Sequence, residues 1–475
     1  MRVPELDQAL RIAAREFIEL RRNQGLRWLS ALIAILLLLS VAVGRRQAAN
    51  LEAQRAALQA EVERQFQNQP DRHPHRVAHY GFVAFRPRSP LAYFDFGIDS
   101  FVGNSIFLEA HRQNPANFGE SRQSTSVLRF GQLSTANVLQ VYVPLFIIFS
   151  AFGAVTLERE RHTLRLLWCQ GVTSRALLLG KVLAGWPVLA LVWLPVFGFC
   201  AIAALAGGSP DSLVRVLALS LFYLAYFLLW QMLAVLVSAR SPSSTASLAL
   251  LLGFWALALW LVPRSLPNLA ERFWPTPSKP EFEFALHHDV SEAGNGHDSK
   301  DAKFHGLQQE LLKKYRVDKV EQLPVNFNGI TMREGERRSS EIYARHYDRL
   351  QALFEKQNRL GTWAGLLDPY LDLREASMAL SMSGYLDFAD FQRQAEAYRF
   401  QMVDHLNQLH SQQISYAGDK EQRLARDHWK EFPEFGYRPP AIRTSLLRCL
   451  PAALCLIFLN VLLVTGLARQ RVQAV

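Results

Sequence analysis

Val138-Leu-Gln-Val-Tyr-Val-Pro-Leu-Phe-Ile-Ile-Phe-Ser-Ala-Phe-Gly-Ala-Val-Thr-Leu157 carries no charge, then turns abruptly into Glu158-Arg-Glu-Arg-His-Thr-Leu-Arg-Leu-Leu-Trp168. Crossing about 30 Å of hydrocarbon takes roughly 20 apolar residues in a helix, because no water is there to satisfy the backbone. The first stretch therefore reads as a membrane span and the second as what emerges from it. Five more blocks share this texture: Trp28–Gly44 (marginally short), Val182–Ala206, Leu213–Ala239, Ala246–Pro263 and Ser445–Ala468, the last with Arg448 near its start. A buried helix of a soluble protein explains one such block but not six. The mean hydropathy of +0.02 conceals this, since the apolar blocks alternate with highly charged stretches. With 50% hydrophobic residues, 26 Gly, 22 Pro and 4 Cys among 475, the chain is not disordered, collagen-like or a disulfide scaffold.

Lys and Arg in short loops mark the cytoplasmic side. The 158–181 loop holds Arg159, Arg161, Arg165, Arg175 and Lys181 against Glu158 and Glu160, and the N-terminal segment has six arginines against four acids. Arg240, Arg469 and Arg471 fall on the same side if both termini are cytoplasmic, whereas Arg45 and Arg46 fall on the other. A signal peptide is the competing reading of the first block, but the acids within the 27 residues before it are unlike a basic leader.

The expected fold is thus a mainly α polytopic membrane protein with six transmembrane helices and a mixed, mostly helical extracytoplasmic domain built from two insertions. Its parts are a cytoplasmic interfacial helix (1–27), span 1 (28–44), extracytoplasmic segment 1 (45–136), span 2 (137–157) and an inner loop (158–181). Span 3 (182–206), span 4 (213–239), span 5 (246–263), extracytoplasmic segment 2 (264–444), span 6 (445–468) and a cytoplasmic tail (469–475) follow. Ala48–Gln67 is expected to continue span 1 outward as a helix, and Arg76–Phe107 to form short strands and turns. In the second insertion, Pro263–Pro280 reads as a turn-rich linker and His287–Lys303 as a mobile loop. Helical patterns follow at Phe304–Tyr315, Glu334–Arg359 and Phe388–Gln412. The four cysteines lie outside both insertions, so packing must stabilise them.

No phosphate loop, nucleophile elbow or His-Glu-x-x-His pair is present, so ATP, if used, is bound by another chain. The inner loop combines leading charges, a helical run with Leu164, Leu167 and Trp168 on one side, and Gly171. Such an element is either a lever for a cytosolic partner or a loop anchored at the headgroups. Its residues resemble the Glu-Arg-Glu-x-Gly-Thr-Leu motif of type-2 ABC transporter permeases, where it follows the second span and forms a coupling helix. Ala14-Arg-Glu-Phe-Ile-Glu-Leu-Arg-Arg22 is likewise similar to their interfacial helix. Both insertions resemble a subgroup with an uncharacterised extracytoplasmic module.

The resemblance implies an inner-membrane, multi-pass permease subunit of an ATP-driven transporter that works as an exporter. Its implied partners are a cytosolic ABC ATPase that carries the ATP and Mg, a second permease subunit, identical or similar, membrane lipid and a periplasmic partner. It implies Glu158, Glu160, Thr163, Leu164, Arg165, Leu167 and Trp168 as ATPase-coupling positions, with His162 standing where the family usually has Gly. The apolar side, Leu164, Leu167 and Trp168, is expected to fill a groove on the ATPase. The alternative is a non-transporting subunit that transmits ATPase motion to an extracytoplasmic partner.

The sequence predicts no catalytic residue and no cofactor bound by this chain. Twelve of the 13 histidines fall on the outer side. His73, His75, His79, His287 and His288 are weak metal candidates by spacing, but no Cys or Met cluster accompanies them, and the expectation is no metal. Arg215 and Arg448 are expected to snorkel from span ends. Gln140, Gln231 and Asn460 are expected to join helices. The basic excess is scattered rather than gathered in an aromatic-lined groove, so nucleic acid is not an expected partner.

Overall fold

The computed structural model describes residues 3–116, 133–207, 209–430 and 432–473. Residues 117–132 of the first insertion, Gly208 of the loop between spans 3 and 4, and the last two residues of the tail lie outside the described residues. Among the described residues, six helices are long and apolar enough to cross a membrane. Helix α1 (Val3–Arg22) precedes them and ends at Asn23, whose side chain accepts a hydrogen bond from the Leu26 N–H and starts α2 (Gln24–Gln67). The first half of α2 is apolar and the second continues outward as one 44-residue rod. Arg45, the residue at odds with the charge rule, lies over the rings of Tyr93 and Phe199 at 5.7 and 5.2 Å, where this rod leaves the bundle.

Past α2 come α3 (Pro74–Tyr80) and the antiparallel strands β1 (Phe82–Phe85) and β2 (Ser105–Leu108), with Phe82 opposite Leu108. Residues 76–80 are therefore helical where the sequence predicted strand or turn, with Pro74 at the first turn and His73 capping it. The second membrane helix, α4 (Thr135–Glu160), leads through the short α5 (Thr163–Cys169) into α6 (Ser174–Ala206), α7 (Pro210–Arg240) and α8 (Ser244–Phe273). The predicted linker after Pro263 is instead helical to Phe273. Proline clashes with the carbonyl four residues back in an α-helix. Here a π turn, Leu257–Leu261, opens the ladder just before Pro263, as another, Val138–Tyr142, does before Pro144.

The second insertion holds α9 (Lys279–Glu292), α10 (His305–Tyr315), α11 (Phe327–Gly365), α12 (Pro369–Ser381) and α13 (Tyr385–Gln413), before α14 (Ile442–Arg469). The expected 287–303 loop is half helix: Ser278 and Glu281 form a capping box that launches α9. The remaining turn is held by Asp301, which accepts from the N–H groups of Asn295 (2.7 Å) and Lys303 (2.9 Å). Helix α12 was missed in the sequence. Its Leu373, Ala376 and Leu380 share one continuous core with Phe197, Tyr223 and Cys449 of the membrane bundle. A second core, around Phe66, Phe82, Leu108, Phe391 and Met402, joins both insertions into one module.

Candidate functional site

The charged exit of α4 is a clamp. Ahead of it the helix breaks at Phe152–Val155, and the freed N–H groups of Val155 and Thr156 donate to the fully buried Ser238 hydroxyl of α7 at 3.0 and 3.2 Å. The Arg159 guanidinium donates to the carbonyls of Ser241 (2.6 Å) and Ala239 (3.1 Å), at the negative end of α7. Glu160 accepts from the backbone N–H (2.6 Å) and hydroxyl (3.0 Å) of Ser244, at the positive start of α8. Consecutive residues of opposite charge thus grip both ends of the α7–α8 turn.

Glu158 faces inward. Its carboxylate receives the Thr163 hydroxyl and lies 2.8 Å from Lys181 Nζ, which is also 2.6 Å from Glu16 of α1. Gly180, beside Lys181, allows α1 to approach: a Cβ there would lie 2.7 Å from that of Ile12. Gln8 of α1 donates to the Gly171 carbonyl at 3.2 Å, at the turn that closes α5.

Position 162 has φ +60°, the left-handed region where Gly is at ease, so His162 holds a backbone conformation that would suit a Gly. Helix α5 then turns the expected docking face inward. Leu164 is 1% exposed, and Leu167 and Trp168 pack with it against Val155, Leu178 and Val235. Leu164 is thus taken up by the bundle, while Leu167 and Trp168 are half-buried beside it. Arg161, Arg165 and Leu166 form the outward face, with Leu166 62% exposed. Leu166 escaped the sequence reading because it lies beside the stripe rather than on it.

At the other end, polar groups weld module to bundle. Arg215 is buried and donates to Ser445 Oγ (2.9 Å) and the Pro440 (3.0 Å) and Leu380 (3.3 Å) carbonyls, and Arg448 pairs with Asp387 of α13 at 2.8 Å. Both were expected to snorkel; protein partners hold them instead. Gln140 donates to Tyr223 (2.9 Å), whose hydroxyl meets Ser377 of α12, while Gln231 and Asn460 reach the carbonyls of Lys181 and Ala225. A cleft of about 360 Å³ opens beside this junction, lined by Leu266, Gln357, Asp372, Glu375, Tyr385 and Arg448 among others.

Of the metal candidates, His75 and His79 come together, one turn apart on α3, and are joined by His111 and His297. His73 faces His410 and Asp419 instead, and His287 and His288 join neither group. Burial, reinforced by the neighbouring imidazoles, lowers His75 to about 2 and lowers His79 and His297 as well. His111 has φ +70°, and its backbone N–H donates to Glu336 of α11 at 2.8 Å. Sequence spacing reveals only the i, i+4 pair; the other two imidazoles come from turns far along the chain.

Six apolar helices among the described residues and a charged loop gripped between them define a multi-pass membrane protein. Residues 10–314, well over half of the chain, match the family model described as ABC-2 family transporter protein, and the chain belongs to that family. It is a multi-pass membrane subunit of an ABC transporter, not itself catalytic. Residues 281–438 match a domain of unknown function, DUF3526. No curated protein matches the chain.

Proposed function

We propose that this chain is the permease of an ATP-driven exporter of the inner membrane, energised by a separate cytosolic ABC ATPase that binds the ATP and Mg. In this reading both termini and the 158–181 loop are cytoplasmic, and the module built from 45–136 and 264–444 is extracytoplasmic. The observation that carries it is the outward face of α5. Leu166 stands exposed next to Arg165, with Arg161 exposed in the turn before the helix, while Arg159 and Leu164 are turned into the bundle. An exposed apolar residue on a segment that also exposes two arginines suits an ATPase groove with an acidic rim. Glu158, Glu160, Thr163, Leu164, Leu167 and Trp168 then act as coupling positions by holding that face rigid, and Arg165 by contact.

The apolar faces of α2, α8 and α14, each buried over only 17% of its most apolar window against 61% for α4, suit lipid and a second permease subunit, identical or similar. The cleft beside Arg448 suits cargo with both polar and apolar parts.

Leu166→Asp with Arg165→Glu, co-expressed with the ATPase, tests the reading. Insertion and melting should be unchanged, whereas permease-stimulated ATP hydrolysis should fall at least ten-fold through loss of assembly. Normal assembly would remove α5 as the docking element. Normal stimulation without cargo efflux from vesicles would instead favour a subunit that passes ATPase motion to an extracytoplasmic partner.

A further inference from the structure

Four imidazoles from three separate pieces of chain converge on the module's surface. His75 and His79 stand on α3, His111 in the turn after β2, and His297 in the turn after α9; their ligand nitrogens all lie within 4.8 Å of one another. Nε2 of His75 and Nε2 of His79 are 3.1 Å apart, close to the roughly 3.3 Å between two nitrogens bound at 2.0–2.1 Å to one tetrahedral ion. The rings of His111 and His297 complete the group, with centroids 4.5 Å apart and 4.9–5.6 Å from that of His75.

The supporting structure is what a ligand set requires. Metal-bound histidines usually donate their second nitrogen to a carboxylate, which fixes the tautomer. His111 Nδ1 lies 3.2 Å from the Glu336 carboxylate, which is 1% exposed and is itself paired with the buried Arg399. That donation leaves Nε2 of His111 as the lone-pair nitrogen, and Nε2 is buried with no hydrogen-bond partner. The His297 turn is seated by glycines: a Cβ on Gly335, next to Glu336 on α11, would meet Gly296 Cα at 2.8 Å. One turn of α11 thus orients His111 with Glu336 and admits the His297 turn with Gly335.

We propose that His75, His79, His111 and His297 bind one divalent transition-metal ion, of the zinc class, that ties the first insertion to the second. Neutral nitrogen donors without thiolate or thioether suit Zn²⁺ and its neighbours, whereas Mg²⁺ and Ca²⁺ require oxygen. Glu336 is a positioning residue outside the coordination sphere. Two of the ligands, His79 and His297, are exposed, so the ion enters from solvent.

The test uses the full chain in detergent, stripped with EDTA, then titrated with Co²⁺ and Zn²⁺. Wild type should take up one Co²⁺ with the intense visible absorption of a tetrahedral nitrogen site, lose it to Zn²⁺, and melt at a higher temperature with Zn²⁺. His79→Ala with His297→Ala should abolish the band, and His287→Ala with His288→Ala should leave it. Glu336→Gln should keep the band's shape while affinity drops roughly ten- to a hundred-fold, which a merely structural role would not produce. Absence of stoichiometric uptake by folded wild type, an octahedral cobalt spectrum, or undiminished uptake by the His79/His297 variant would each overturn the proposal. Should that variant misfold, the wild-type spectrum and the Glu336→Gln affinity decide.

Discussion

Replacing Lys181 with Met isolates what holds the N-terminal helix to the 158–181 segment. Lys181 is 3% exposed by its side chain and lies 2.6 Å from Glu16 and 2.8 Å from Glu158, each 17% exposed. Removing one partner of a buried ion pair costs about 3–5 kcal/mol, because the charge left behind is stranded. Two carboxylates are stranded here, but both retain some water, so about 3 kcal/mol is the working figure for separating α1 from α6. That is on the order of a hundred-fold in the docked-to-undocked ratio. Hydrogen exchange of the α1 amides around Ile12 to Glu19 should accelerate by about that factor, and ATPase stimulation should decline with it. Combining Lys181→Met with Glu16→Gln and Glu158→Gln strands no charge, so protection should return to within about 1 kcal/mol of wild type. If the single variant exchanges like wild type, or the triple variant is as loose as the single, charge pairing does not hold α1 and close packing at Gly180 does.

His162→Gly should stabilise the purified protein by about 1 kcal/mol, read as a higher melting temperature, since an L-residue is strained at φ +60°; a lower one would show that the imidazole contributes more than the strain costs. Asp419 governs acid stability: burial opposes its ionisation, but hydrogen bonds from His410 (2.6 Å) and Asn326 (2.6 Å), with His73 nearby, outweigh this and hold the carboxyl well below its ordinary value. A lowered folded value stabilises above the unfolded value of about 4, and that stability is lost as pH falls below it. The melting temperature should therefore drop between about pH 5 and 2 in wild type and change less in Asp419→Asn; equal slopes would refute the assignment.

The membrane helices were legible because twenty uncharged residues have few other uses, and even the outward run of α2 was visible in its Ala, Gln and Glu composition. Faces were harder to read. The apolar stripe of α5 was found correctly, but a stripe says only that something covers it, and the bundle's own Val155 and Val235 do. Helix α12 was missed because Asp372, Arg374 and Glu375 interrupt Leu373, Ala376 and Leu380; those charges line or border the cleft rather than marking a solvated loop. Arg215 and Arg448 looked like residues reaching for headgroups, since their partners Ser445, Pro440 and Asp387 lie up to 230 positions away.

Helix α2 has a mechanical consequence. Forty-four residues at 1.5 Å each make a rod of about 66 Å. Its base meets α1 at Asn23, and α1 is pinned to the 158–181 segment through Glu16 and Gln8. Its far end buries Phe66 against Phe82 in the module's own core, ring centroids 5.8 Å apart. A tilt of only about 5° at the base sweeps the far end through ~6 Å, more than the rise of one helical turn. One continuous helix therefore joins the α1 contacts at the base to the module's core at the tip, with no joint between them.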